Sequence, residues 1–451
     1  MAQESFHENI SPLLNKVFKK KPVSELKTEL WNEFVDSNLL GICDDDCSVI
    51  PRILPYSYLP TIVKVSQGIT TFLMRLLSLP TAELKSIILP TPITDYLVQE
   101  LGVLKYRPKR LTGSLRFDMA IAGSPNAGNP PKLLEINEIG FDGTGRSSFI
   151  QEKILRIMPE LKSKVKRFDT AKSEVQNMRR LGRNMVRFQY DVYNWEEEVI
   201  LAKAKQVGLN LRLVSPKVFK IQPDKDFNKM AYKQVKFKNG KLYLEQELQA
   251  PDVFQVSYSF ELADYKEAPE FFRNLICSKI PQYSPFVTGL VASKTILPLL
   301  ADKSLRKRLI PEYAHQVEPA ILPTKLLLGN KADAKKNYEN LVLKHGDGMG
   351  GERVYVGSEM QNMIKHIPKK KQAEWALQDR LRLNTIDVHG ILSRPRKVIA
   401  DLGVYIHYDW DGKKFTSFRV GGFITRATNR SLKVNVSGGG IQVPVMFDKG
   451  R

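Results

Sequence analysis

Three stretches in the first hundred residues, SPLLNKVF, SELKTELWNEFVDSNLL and VSQGITTFLMRLLSL, space their apolar positions three and four apart, the period of one helix face. Prolines punctuate them, so the chain up to about residue 110 is predicted to be mostly helical. From Leu115 the period falls to two. LRFDMAI and KLLEINEI alternate like strands, and AGSPNAGNPP between them reads as the tip of a hairpin. NWEEEVILAKAKQVG then predicts an amphipathic helix ending at glycine, followed by a strand in LNLRLVS. VKFKNGKLYLEQ carries an Asn-Gly turn between alternating segments, and PDVFQVSYSFEL adds a further strand. Together these fit a small open α/β sheet. From Lys294 a helix, SKTILPLLADKSLRKRLI, precedes a largely β region that includes LVLKHGDGMGGERVYVG, EWALQDRL, KVIADLGVYIHYDWDGKKFTSFRVGGFITRA and VPVMF. The predicted class is α/β with α+β character.

Composition narrows the setting. At 451 residues the chain exceeds one ordinary core, which predicts two or three domains. Its 42% hydrophobic and 26% charged residues are those of a folded globular protein. Lys and Arg outnumber Asp and Glu by 69 to 48, and a net charge of +21 favours an anionic partner such as a nucleotide, acidic metabolite, peptide or nucleic acid. The charge is spread, with only short runs such as Lys19–Lys21 and Lys369–Lys371, and aromatics are not interleaved with it. That pattern disfavours a dedicated nucleic-acid module. Cys43, Cys47 and Cys277 cannot make a disulfide framework, and MAQESFHENI lacks the features of a secretory signal, so a cytoplasmic setting is expected. The most apolar stretch is broken by Arg75, Pro80, Glu83 and Lys85, which excludes a membrane helix there. Cys43 and Cys47 flank Asp44, Asp45 and Asp46, but no second ligand pair follows at a metal-site spacing, so a plain loop is expected.

Candidate chemistry begins in the two alternating strands. Arg116 and Asp118 are two residues apart, as are Glu135 and Asn137, so each pair shares one face of its strand. An arginine, two carboxylates and an amide oxygen then reach one point, a donor set that suits Mg2+ held jointly with substrate phosphates. Farther along, Lys344 precedes Gly346, Gly348, Gly350 and Gly351. These glycines join two predicted strands and open no helix, unlike Rossmann and Walker loops. Their backbone N–H groups could close over a polyphosphate, with Lys344 supplying a point charge; a plain surface hairpin is the other reading. The strand ending at Gln378 could present its backbone to an adenine edge between Trp375 and Leu377. Arg426 lies beyond a Gly-Gly pair that would let backbone approach a ligand, where it could stabilise a transferring phosphoryl group or simply pair with an acid. His345 is expected to face solvent. Gly140, Gly143 and Gly145 are expected to form a turn or a substrate-side loop, with Arg146 a candidate for a substrate carboxylate.

In order, LRFDMAI, KLLEINEI, SKTILPLL, LVLKHGDGMGGERV, ALQDRL and GGFITRA resemble the circularly permuted ATP-grasp ligases, in particular the synthetase domain of glutathionylspermidine synthase, over roughly residues 113 to 445. In unpermuted members the metal-binding residues follow the nucleotide lysines; here they precede them. The resemblance implies a helical N-terminal region (1–112), metal-binding strands of the ATP-grasp core (113–184), a preATP-grasp α/β domain (185–290) and a nucleotide-binding domain (291–451). It further implies that Asp118, Glu135 and Asn137 bind two Mg2+ ions on ATP. Arg116 would face the γ-phosphoryl or acyl phosphate, Lys294 and Lys344 would hold the nucleotide, Arg426 would be a second catalytic arginine, and the hinge around Gln378 would hold adenine. The implied reaction joins a carboxylate donor, metabolite or peptide, to an amine acceptor through an acyl phosphate. SYSFELADY keeps Glu261 but only part of the family's aromatic pattern, and no amidase domain precedes the match, so the substrates are left unassigned. An ATP-grasp phosphotransferase and a basic nucleic-acid-binding protein are the alternatives.

Overall fold

A computed structural model describes residues 6–37, 46–88, 90–126, 128–138, 143–188, 195–214, 235–238, 241–244, 252–256, 269–347, 353–428 and 440–450. The three predicted N-terminal helices form at Pro12–Phe18, Val23–Asp36 and Leu59–Ser78. The first begins where Ser11 Oγ accepts from the Leu13 amide, satisfying a donor that the first turn leaves unpaired. The region is not helical throughout, because His7–Glu8 and Arg52–Pro55 are strands of the largest sheet.

That sheet has ten strands and organises the molecule. His7–Glu8, Thr385–Val388, Arg396–Ala400, Phe415–Thr428, Leu402–Trp410, Leu111–Ala120 and Lys132–Asn137 lie side by side in that order. Ile441–Asp448 pairs with Phe415–Thr428 and carries Arg52–Pro55 and Val165–Lys166 on its other portion. The predicted hairpin of LRFDMAI with KLLEINEI is present as an antiparallel pair. Every residue of Leu111–Ala120 is buried, as expected of a strand with neighbours on both edges and layers packed over it.

Helices Leu59–Ser78, Thr144–Ile157 and Thr170–Met178 pack onto Phe415–Thr428. The Gly421-Gly422 pair permits this approach: a Cβ on Gly422 would lie 1.8 Å from Thr170 Oγ1. The close backbone approach expected at this pair is therefore made by a helix of the same chain, and not by a ligand. Next to it Phe423 is fully buried, with Phe168 and Phe447 rings at 5.0 and 4.8 Å in edge-on contact.

Helix Trp195–Gln206 forms as predicted, and Gly208 follows it at φ +70°, a left-handed conformation that glycine adopts without a Cβ clash. Its neighbours Asn184–Phe188, Asn210–Val214 and Val253–Val256 make a three-stranded parallel sheet. The predicted Asn-Gly hairpin is a separate two-stranded unit, Val235–Lys238 with Lys241–Leu244. A four-stranded antiparallel sheet runs Thr324–Leu326, Trp375–Asp379, Leu341–His345, Val354–Val356. The long helix predicted from SKTILPLLADKSLRKRLI is two helices, Ile296–Ala301 and Lys303–Leu309. Asp302 divides them, because its carboxylate accepts from the amides of Ser304 and Leu305 and so starts a new helix. Among the described residues no helix is long and apolar enough to cross a membrane.

Truncating Phe423 to alanine removes one ring of the Phe168, Phe423 and Phe447 cluster, and is expected to cost about 3–5 kcal/mol in urea unfolding. A loss near zero would show that this aromatic cluster does not hold the segment before helix Thr170–Met178 against the sheet.

Candidate functional site

The strand register builds the candidate site. Asn137 lies directly opposite Arg116, and Glu135 opposite Asp118, so all four side chains occupy one face. On the other side Tyr405 pairs with Arg116 and Gly403 with Asp118. Gly403 contributes no side chain between Asp118 and the next strand, where Arg426 lies two residues beyond its partner Ile424. Arg426 reaches across this gap, its Nη2 donating to Asp118 Oδ2 at 2.7 Å.

Asp118 is 3% exposed and accepts from Arg116 Nε at 2.8 Å, Arg116 Nη2 at 3.2 Å and Asn137 Nδ2 at 2.9 Å, besides Arg426. Burial alone would raise its pKa; the guanidiniums of Arg116 and Arg426 outweigh that and hold the carboxyl below its ordinary value. Arg426 is shared with Asp401, a residue that the sequence reading missed. Its Nε donates to Asp401 Oδ2 at 2.8 Å and its amide to Oδ1 at 2.8 Å. Asp401 is 1% exposed, and burial raises its pKa against the pull of Arg426. Two carboxylates thus aim one guanidinium. Asp401 is the first residue of DLGVYI, and a lone acid at a strand entry carries no periodic or motif signal.

A β-bulge brings the second half of the site into contact. Asp118 opposes Glu135 while Met119 opposes Leu133, which leaves Leu134 without a partner. Its carbonyl accepts from Lys344 Nζ at 2.8 Å, and Lys344 also donates to Gln378 Oε1 at 2.7 Å. The four-stranded sheet is thereby docked on the outer strand of the large one. Lys294, in the turn before helix Ile296–Ala301, brings its ammonium 3.5 Å from Glu135 Oε1, and its amide donates to Gly346 O at 3.0 Å. Burial lowers the Lys344 pKa to about 8; Glu135 opposes this fall and Lys294 adds to it.

Other expectations meet a different outcome. The strand Trp375–Asp379 runs between Thr324–Leu326 and Leu341–His345, so the Gln378 backbone is flanked by Thr324 and Val342 and is not an open edge for adenine. Its side chain turns inward to fix Lys344. His345 is 4% exposed, against the expectation of a solvent-facing loop, because it is the last residue of strand Leu341–His345. It packs edge-on to Trp375 and lies 3.2 Å from Glu374, and burial depresses its pKa. Gly346 passes close to Thr91, whose Cγ2 would be 2.5 Å from an added Cβ. Gly348, Gly350 and Gly351 lie outside the described residues, as do Gly140, Cys43 and Glu261.

Gly143 is the N-cap of helix Thr144–Ile157 and Gly145 lies in its first turn, so these two glycines open a helix. The amides of Gly143 and Gly145 donate to Glu196 Oε1, both at 2.8 Å, and Arg146 Nε is 3.2 Å from Glu196 Oε2. An internal carboxylate therefore fills the seat that a phosphate would take at this helix N-terminus. Arg146, a candidate for a substrate carboxylate, is ion-paired within the chain. Glu138 was also missed: it is 1% exposed, and burial pushes its pKa up to about 8 against hydrogen bonds from Thr288 and Ser284.

Among the described residues no three His, Cys, Asp or Glu side chains form a cation cage. Beside Lys294 stands the Glu135 carboxylate, and Asn137, on the same strand face, has its amide nitrogen engaged with Asp118. A cleft of about 710 Å3 lies elsewhere, lined by Phe6, Glu8, Arg52, Tyr56 and Asp387.

No family model matches the sequence, and no curated protein matches it. The structure is similar to that of a glutathione synthetase-like effector from Globodera pallida in its apo form, with a TM-score of 0.66 and 13% identity over 89% of this chain and 90% of that one. At that identity the likeness is one of fold.

Lys344 gives the cluster a measurable signature. An anion seated against it favours the charged ammonium, so binding raises its pKa from about 8 and takes up a proton in the interval above that value. If a polyphosphate seats there, calorimetry of Mg-ATP titrated into the chain at about pH 9, in two buffers of different ionisation enthalpy, should show proton uptake that Lys344→Met abolishes. Equal heats in both buffers would contradict the placement of phosphate beside Lys344.

Proposed function

We propose that this chain is an ATP- and Mg2+-dependent carboxylate–amine ligase of the circularly permuted ATP-grasp type. The observation that carries the reading is the meeting of Arg116, Asp118, Glu135 and Asn137 with Lys294, Lys344 and Arg426. Arg426 and Asp118 alone are 308 residues apart in sequence. The acidic strands precede the lysines in the chain, which is the permuted order. A fold shared with a protein named for its likeness to glutathione synthetase supports the same class.

In this reading a substrate carboxylate oxygen attacks the γ-phosphorus of ATP, and the bond to the β-phosphate bridging oxygen breaks, releasing ADP. The resulting acyl phosphate has phosphate as its leaving group. An amine attacks the carbonyl carbon, phosphate departs, and the ammonium proton is lost to give the amide. The chain's part is positioning and charge neutralisation. Lys294 and Lys344 place ammonium groups against the polyphosphate. Arg116 and Arg426, already aimed by Asp118 and Asp401, face the transferring phosphoryl group without reorganising as charge develops. Glu135 and the Asn137 oxygen would hold a magnesium ion, and Asp118 would join a second only by giving up an arginine hydrogen bond. When bound, such an ion neutralises charge across the β- and γ-phosphates.

Purified chain, ATP, Mg2+ and a cell extract should yield a product whose mass is that of a carboxylate and an amine joined with loss of water. Phosphate release should require both partners. Replacing Asp118 and Glu135 together by alanine should lower turnover by about 10²–10³ or more. Unchanged turnover in that variant would refute the reading, and a stable phosphorylated product formed without amine would make the chain a phosphotransferase.

A further inference from the structure

The N-terminal strand His7–Glu8 has no part in the chemistry above, yet a single side chain links it to Arg426. That side chain is Arg52, which is 5% exposed. Its Nε donates to Glu8 Oε2 at 2.8 Å and its Nη2 to Glu8 Oε1 at 2.5 Å, a two-pronged ion pair. Burial would raise the Glu8 carboxyl, but Arg52, with Asn384 and His7, outweighs it and the pKa is lowered, so Glu8 is ionised at neutral pH. Asn384 Nδ2 fixes the same carboxylate at 2.7 Å.

The remaining nitrogen carries the consequence. Arg52 Nη1 donates to the Asp401 carbonyl at 2.7 Å and to Thr425 Oγ1 at 3.0 Å, while Thr425 Oγ1 donates to the same carbonyl at 2.9 Å. Asp401 is the acid that holds Arg426, and Thr425 immediately precedes Arg426 in its strand. Successive strand residues point to opposite faces, so Arg52 grips the backbone from one face while Arg426 projects from the other. A guanidinium is needed for this, since one planar group must serve a carboxylate, a carbonyl and a hydroxyl at once; a lysine ammonium cannot span them.

We propose that Glu8 and Arg52 are positioning residues for Arg426. They lock the Asp401 carbonyl and Thr425 in place, and thereby fix the direction in which the Arg426 guanidinium is presented. The role assigned to Arg426 rests on the ligase reading; the mechanical link does not. An ion pair that merely fastened the N-terminal strand to the sheet would affect stability alone.

The full chain carrying Arg52→Lys, and separately Glu8→Gln, tests this against His7→Ala, which alters the same strand without touching Arg52. Four quantities are read: the unfolding midpoint, kcat, KM for ATP, and the Nε–Hε NMR signal of Arg426, assigned by its loss in Arg426→Lys. Arg52→Lys should lower kcat by about tenfold or more while KM for ATP changes little, and should shift or broaden the Arg426 signal. Glu8→Gln, which keeps shape and removes one charge, should do the same to a smaller extent, and serves if Arg52→Lys does not fold. His7→Ala should leave kcat and the Arg426 signal unchanged. In a double-mutant cycle Arg52→Lys should add little to Arg426→Lys, because both act through one group. A lower unfolding midpoint with kcat and the Arg426 signal untouched would overturn the proposal. If Arg426→Lys itself left turnover intact, the ligase reading would lose one of its two phosphoryl arginines, while the NMR signal would still decide the link.

Discussion

A carboxylate taken almost wholly out of water stays ionised only if cations are held against it, and Asp118 imposes that requirement on the rest of the site. Its own strand supplies Arg116, the neighbouring strand supplies Asn137, and Arg426 must cross a gap left open by Gly403. Arg426 in turn requires Asp401, and the Asp401 carbonyl is held by Arg52. Removing one member strands a buried charge on the next, so strand order, register and the bare glycine position form one electrostatic unit.

The same reasoning accounts for the docking of the second sheet. A bulge on the outer strand frees the Leu134 carbonyl, and a buried lysine needs acceptors. Lys344 finds one there and another in Gln378, at the depth where Lys294 meets Glu135. The result is a buried lysine with a depressed pKa close to a glutamate and a second buried lysine.

Much of this was legible from alternation. Period two in LRFDMAI and KLLEINEI gave the strands, and the two-residue spacing put Arg116 with Asp118 and Glu135 with Asn137, as the register bears out. The Asn-Gly hairpin and the glycine after helix Trp195–Gln206 were equally local signals. What local pattern did not carry was long-range. Asp401, Glu8 and Arg52 are single charged residues near strand ends, and only the sheet order brings them together. Gln378 was expected to offer its backbone to adenine and His345 to face solvent, because sequence shows neither which strands flank Trp375–Asp379 nor how far the strand Leu341–His345 runs. The Gly421-Gly422 pair signalled close approach correctly, but the approaching group, Thr170, lies 252 residues before Gly422.

A crystal structure of the full chain with Mg2+ and a non-hydrolysable ATP analogue bears most directly on whether these two halves form one nucleotide site. The triphosphate should lie between the Lys294 and Lys344 ammonium groups, with an ion on Glu135 and Asn137 and the terminal phosphoryl facing Arg116 and Arg426. A nucleotide bound away from this cluster, or only in the cleft lined by Glu8 and Arg52, would contradict it.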